Sequence, residues 1–222
     1  MELYPAIDVL GGRVVRLRQG EYADETVYGE DPVAVARDFA AAGAEWIHVV
    51  DLDAARSGDP INRPVIAAVA AAVASTSKVQ TGGGVRGLAD VRALADAGLA
   101  RVVMGSAAVR EPELVATACE ILPVAVGLDH RAGEIAVHGW TQGSGLALDE
   151  AYAQFPTADV FVVTAIARDG MLQGPDVDGL RRSAELAGAP VIASGGVATL
   201  ADVEALAAIP GLGGIITGTA LY

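Results

Sequence analysis

Cysteine is almost missing from this chain: Cys119 is the only one, so no disulfide can form within it. That fits a reducing compartment, and a cytoplasmic protein is the expectation. Aromatic residues are also scarce, at 5%, although hydrophobic residues make up 52% of the 222 positions. The core must therefore be built from Val, Ile, Leu and Ala, a palette suited to buried parallel strands packed on Ala-rich helices. Basic residues are outnumbered, and the formal charge of −13 argues against nucleic-acid or anionic-membrane partners. Long apolar runs are lacking. The best, residues 65–74, is too short and too Ala-rich to span a bilayer, and MELYPAID has no basic flank or apolar run of signal-peptide character.

What the sequence does have is alternation. Short β-branched runs at 3–8, 46–51, 78–81, 101–104, 124–129, 160–164, 190–193 and 214–217 read as strands. Helix-period segments at 32–42, 63–74, 88–97, 112–121, 148–154, 177–187 and 200–208 lie between them. Alternating β and α units imply a parallel sheet covered by helices, and eight strands suggest closure into a single (β/α)₈ TIM barrel. An open doubly wound sheet is the alternative. A complete barrel would carry one more helix after the eighth strand, where this sequence reaches Tyr222.

The chain also repeats itself. GGVRGLADVRALADAGLARVVMGSAA, from Gly83, aligns with GGVATLADVEALAAIPGLGGIITGTA, from Gly195. Val49-Val50-Asp51 matches Val162-Val163-Thr164, and Asp8 and Asp129 each close a strand. The expectation is two similar half-barrels, about 1–121 and 122–222.

Each half carries a pair of glycine-rich strand ends: Gly82-Gly83-Gly84 with Gly105-Ser106, and Gly195-Gly196 with Gly218-Thr219. Glycine lets backbone approach a ligand closely, and the helix that follows offers free N–H groups and a favourable dipole for an anion. The hydroxyls of Ser106 and Thr219 can add hydrogen bonds. Tight turns alone would also explain a single such loop, but less easily two symmetry-related pairs. Two cradles on opposite sides of one barrel mouth suit an elongated small molecule with a phosphate at each end.

Asp8 closes strand one and Asp129 strand five, so a closed barrel sets them opposite each other, able to divide proton removal from proton donation. Asp51 and Asp53 end strand two and can serve the same mouth, but capping of backbone amides is the first expectation for both. His48 lies within a strand and reads as a core hydrogen-bonding residue, while His130 and His138 flank the loop after strand five, where a ligand contact can form. Their spacing makes no zinc motif, so no metal is expected. Trp140, on the same loop, can stack on a flat ring or pack on its neighbours.

PAIDVLGGRVVRLRQGEY, VVDLDAA, VQTGGGVR, VVMGSAA, VGLD, HGW, ARDGMLQGPD, VIASGGV and IITGTALY resemble the phosphoribosylformimino-5-aminoimidazole carboxamide ribotide isomerase family. Some variants resemble its bifunctional branch, phosphoribosyl isomerase A, which also isomerises phosphoribosylanthranilate for tryptophan synthesis. The resemblance covers nearly the whole chain and implies an Amadori rearrangement of an N-linked aminoaldose to an aminoketose in histidine biosynthesis. It implies that no cofactor is needed, and a monomer is the expectation. Asp8 would be the base, Arg16 and His48 would contact substrate, and Asp129 and Thr164 would line the reacting centre. Gly83, Gly105, Ser106, Gly195, Gly196, Gly218 and Thr219 would lie in or beside the phosphate cradles. His138, Trp140 and Gly170 would complete the substrate contacts.

Two positions depart from the family pattern. Many relatives carry an aspartate after the threonine, often assigned as the general acid, where this chain has Ala165. Either Asp129 serves as the acid, or function has narrowed or lapsed, or the alanine is a change introduced to trap substrate. In the bifunctional branch an arginine commonly stands two positions before the loop tryptophan, and here it is His138, a poorer fork for a carboxylate. The histidine-pathway reaction is thus expected first and dual activity second. A cyclase-type lyase that uses ammonia, and an impaired relative that only binds, are the further alternatives. The first strand carries Ala6-Ile7-Asp8 where that cyclase typically has Cys-Leu-Asp, which favours the isomerase.

Overall fold

The computed structural model of the chain describes residues 1–222. Eight parallel strands close into a barrel: β1 (Glu2–Leu10), β4 (Trp46–Asp51), β5 (Lys78–Gly82), β6 (Arg101–Met104), β7 (Val124–Arg131), β10 (Val160–Ala165), β11 (Val191–Ser194) and β12 (Leu212–Thr217). Each pairs with the next, β12 pairs with β1, and β7 pairs with β10, which leaves no open edge among the eight. All eight expected strands are present. The closed ring excludes the doubly wound sheet.

Period-2 alternation sorts the side chains of each strand to two sides. One set faces the lumen, where Tyr4, Ala6, Ala125, Val160, Val162, Ile192 and Ile216 form a small inner core. The other set faces the surrounding helices and, with their apolar faces, forms the main core of 41 buried residues. Those helices are α1 (Pro32–Ala41), α3 (Arg63–Val73), α4 (Leu88–Asp96), α6 (Glu113–Cys119), α8 (Val177–Leu186) and α9 (Leu200–Ala207), with the short α7 (Leu148–Ala151) continuing into a 3₁₀ turn. None is long and apolar enough to cross a membrane.

The local geometry of the aligned stretches matches at two places. Asp90 accepts hydrogen bonds from the backbone N–H groups of Arg86 and Gly87 at the start of α4. Asp202 does the same for Ala198 and Thr199 at the start of α9. Gly105 and Gly218 share an unusual conformation, with φ, ψ of −101°, −102° and −112°, −96°.

Two hairpins and two short helices add to the alternating pattern. β1 turns at Gly11-Gly12 into β2 (Arg13–Arg18), which turns at Gln19-Gly20 into β3 (Glu21–Gly29). β7 turns at Ala132-Gly133 into β8 (Glu134–Val137), which pairs with β9 (Gln142–Ala147). In these three two-residue turns both central residues have positive φ, the geometry that matches the twist of antiparallel strands. Strands one and five of the barrel thus both extend into antiparallel flaps over the mouth. The helices α2 (Leu52–Ser57) and α5 (Ser106–Arg110) follow strands two and four.

Candidate active site

A cavity of about 400 Å³ opens at the carboxyl ends of the barrel strands, where loops in this fold are free to vary without disturbing the packed barrel below. Every strand contributes to it because the last lumen-facing residue of each has no further layer above it. Asp8, Val50, Gly82, Gly105, Asp129, Thr164, Ser194 and Gly218 all line this space.

Three carboxylates share it, in different surroundings. Asp8 accepts a hydrogen-bonded ion pair from Arg16 Nη1 at 2.7 Å. Arg16, rising from β2 and buried, also donates to the Ala6 carbonyl. Asp129 accepts from the Trp140 indole Nε1–H at 2.7 Å and bonds to the Thr164 hydroxyl. Burial raises the Asp129 pKa, and those two hydrogen bonds oppose the rise. Asp169 reaches the same space from the 3₁₀ turn Ile166–Arg168 that follows β10. Burial, with repulsion from Asp8 and Asp129, pushes its pKa up to about 7 against the pull of Arg16 and a hydrogen bond from the Gly170 N–H. Asp169 therefore holds a proton part of the time near neutrality, while Asp8 is ion-paired with Arg16.

The glycine pairs lie on opposite sides of the carboxylates. Gly83 and Gly195 both have φ of +91°, a conformation costly for any residue with a Cβ. A Cβ on Gly195 would also stand 3.1 Å from the Ala165 carbonyl oxygen. Ser106 Oγ accepts from the His138 backbone N–H at 2.8 Å, so its own hydrogen remains for a ligand oxygen. Arg86 and Arg110 line the cavity on the Gly83 and Ser106 side, while the Arg16 guanidinium lies against Gly218. Cationic side chains thus stand beside both cradles on a chain whose net charge is −13.

Over the top lies the loop between β8 and β9. His138, Gly139 and Trp140 have successive positive φ values of 54°, 62° and 70°. This backbone brings the indole flat onto Gly20, where an added Cβ would meet Cε3 at 2.6 Å. The loop thereby joins the β2–β3 turn to Asp129.

The sequence-derived candidates sort clearly. Asp8, Asp129, Thr164, Arg16, His48, Gly83, Gly105, Ser106, His138, Trp140, Gly170, Gly195, Gly196, Gly218 and Thr219 all line this one cavity. Ala165 does not. Thr164 faces the lumen, so strand alternation turns residue 165 outward, and Ala165 sits with its register partner His130 in a separate surface depression. Ala165 and His130 thus both lie away from the mouth. Asp169, four residues further on, does line the cavity, and sequence reasoning passed it over although it lies within the ARDG segment. Arg86 and Arg110 were passed over too, the first directly after the triple glycine. Asp51 and Asp53 act as caps, accepting from the N–H groups of Ala54 and Gly11.

Residues 2–222 match the family model described as histidine biosynthesis protein. A protein of Paramagnetospirillum magneticum is 45% identical over 226 residues, covering 100% of this chain and 94% of the relative. Relatives from Rhodospirillum rubrum and Geobacillus thermodenitrificans are each 45% identical, covering 100% and 99% of this chain and 94% and 91% of their own lengths. All three are named 1-(5-phosphoribosyl)-5-((5-phosphoribosylamino)methylideneamino) imidazole-4-carboxamide isomerase. Similarity that covers the chain from end to end leaves one conclusion: this chain belongs to the histidine biosynthesis protein family.

Proposed function

We propose that the chain isomerises the phosphoribosylamino group of the imidazole-carboxamide ribotide from aminoaldose to aminoketose, with Asp169 as general acid and Asp8 as general base. The observation that carries this reading is the trio of carboxylates between two glycine cradles: a substrate phosphorylated at both ends is held with its sugar over the acids. The relatives share that activity by name.

The chemistry then runs as follows. Asp169 gives its proton to the ribose ring oxygen as the bond from that oxygen to C1 breaks, and the C1–nitrogen bond becomes an iminium. Asp8 takes the proton from C2. The C2–H electrons form a C1–C2 double bond, and the iminium π electrons return to nitrogen. The enol hydroxyl at C2 then yields its proton to the Asp169 carboxylate, C2 becomes the ketone, and C1 accepts the proton held by Asp8. Nothing is oxidised or reduced overall, and no cofactor enters the balance. Asp129, held by Trp140 and Thr164, is a hydrogen-bond acceptor for substrate hydroxyls rather than the acid.

The cradles at Gly83, Gly105 and Ser106 and at Gly195, Gly196, Gly218 and Thr219 take one phosphate each, and one chain holds a complete site. The test is turnover by the purified chain on the imidazole-carboxamide ribotide and on phosphoribosylanthranilate, beside Asp8→Asn. The first substrate is converted, and Asp8→Asn loses about 10²–10⁴-fold in kcat. No conversion by the unaltered chain, or full activity in the variant, overturns the reading.

A further inference from the structure

Below the carboxylates a file of polar side chains runs through the otherwise apolar lumen. His48, Gln80 and Arg101 stand on neighbouring strands in direct register, His48 opposite Gln80 and Gln80 opposite Arg101. All three are buried. Buried polar groups in a barrel interior are costly unless each donor meets an acceptor, so the direction of every bond here is worth deducing.

The direction is fixed from the Arg101 end. A guanidinium has only donors. Arg101 Nε and Nη2 reach the same oxygen, Gln80 Oε1, at 2.9 and 2.7 Å. Its remaining bonds go to Asp159 at 3.0 Å and the Tyr4 hydroxyl at 3.0 Å, and its plane stacks 4.3 Å from the Trp46 ring centre. Arg101 cannot swing away, and the Gln80 amide cannot flip without facing N–H groups with N–H groups. The Gln80 Nε2 amide hydrogens must therefore point to His48, whose Nδ1 lies 2.9 Å away. A donor facing Nδ1 requires a lone pair there, so the hydrogen of the neutral ring is on Nε2. His48 is part of the cavity wall, and Nδ1 makes its hydrogen bond within the protein. The ring stays neutral because burial, then the nearby charges of Arg16 and Arg101, lower its pKa to about 3.

We propose that Arg101 and Gln80 are positioning residues that lock His48 as an Nε2–H donor to an oxygen of the bound sugar. This rests on the function proposed above. It makes His48 neither a base nor an alternative acid, although it borders the same cavity as three carboxylates. It also gives the polar file a purpose beyond packing: a histidine free to choose its tautomer would offer the sugar a lone pair part of the time, and one free to titrate would add a second cation beside Arg16.

The test is nitrogen NMR on protein labelled in its histidine rings, with His48→Gln identifying the His48 signals among the three histidines. The unliganded wild type is expected to show Nε2 protonated and Nδ1 bare, unchanged from about pH 5 to pH 8. Gln80→Glu replaces the donor facing Nδ1 with an acceptor, so Nδ1 gains a proton and kcat/KM falls about 10²–10³-fold, the usual loss for one misplaced donor. His48→Gln, whose amide nitrogen overlays Nε2, retains at least about tenfold more kcat/KM than His48→Leu. A wild-type ring protonated on Nδ1, a ring that titrates within that range, or a flipped tautomer with unchanged kcat/KM overturns the proposal. If Gln80→Glu does not fold, the wild-type tautomer and the His48 pair still decide it. A wild type with the expected tautomer but no turnover on the ribotide overturns the functional reading instead, and the two failures are distinct.

Discussion

Replacing Asp169 with Asn removes one proton and almost no volume, and it should weaken catalysis while strengthening the fold. The folded-state pKa of Asp169 is about 7, against 3.8 for the free group. A carboxyl that binds its proton more tightly when folded stabilises the protein fully below pH 3.8, and that contribution is lost as the pH rises through about 7. At about 1.4 kcal/mol for each pH unit, the loss reaches a ceiling of about 4 kcal/mol at pH 8. Asn carries no charge to bury and its amide oxygen can still accept from the Gly170 N–H. The variant therefore gains up to that amount at pH 8 and nothing near pH 3.5. For a chain of this length the gain raises Tm by on the order of 10 °C. Loss of the general acid lowers kcat by about 10²–10⁴-fold. Thermal melts at the two pH values, with kcat measured on the same preparations, are the assay. A variant no more stable at pH 8, equally stabilised at both pH values, or within about tenfold of wild-type kcat refutes the assignment.

The wild-type rate should fall as the pH rises through about 7, where Asp169 loses its proton, and this limb should vanish in a pH–rate profile of Asp169→Asn. Ala165→Asp, facing away from the mouth, should leave kcat within about threefold of wild type, and a gain of tenfold or more in steady-state assays would show that the missing acid belongs there. Trp140→Phe keeps the ring against Gly20 but deletes the 2.7 Å bond to Asp129. A hydrogen bond to a charged group of about 1.5–3 kcal/mol implies a drop of about 10- to 100-fold in kcat/KM. Gly195→Ala forces a Cβ into positive φ beside the Ala165 carbonyl, which should cost about 1–3 kcal/mol in chemical denaturation and weaken bisphosphate binding in calorimetry.

Much of this was legible in the residues. The eight strands could be read because β-branched runs such as Val160-Phe161-Val162-Val163 have no helical counterpart in the Ala-rich segments between them. The cradles could be read because Gly83 and Gly195 recur in aligned stretches, and a repeated glycine points to a backbone need. The hairpins were harder: Gln19-Gly20 and Ala132-Gly133 are turn signals, but β3 and β9 in these flaps are largely polar and bury no residue, so neither shows the apolar face that marks a strand. Ala165 lies off the mouth for a reason of parity. Once Thr164 faces the lumen its neighbour cannot, and only the 3₁₀ turn after β10 brings Asp169 back over the sugar site. Nothing in the local spacing of ARDG announces that return.

The clamp itself is tested most directly by a crystal structure of the chain with the aminoketose product bound. One phosphate should rest on Gly83, Gly105 and Ser106, the other on Gly195, Gly196, Gly218 and Thr219, with Asp8 and Asp169 on either side of the sugar carbons between them. A single occupied phosphate site, or a sugar beyond reach of both carboxylates, would contradict it.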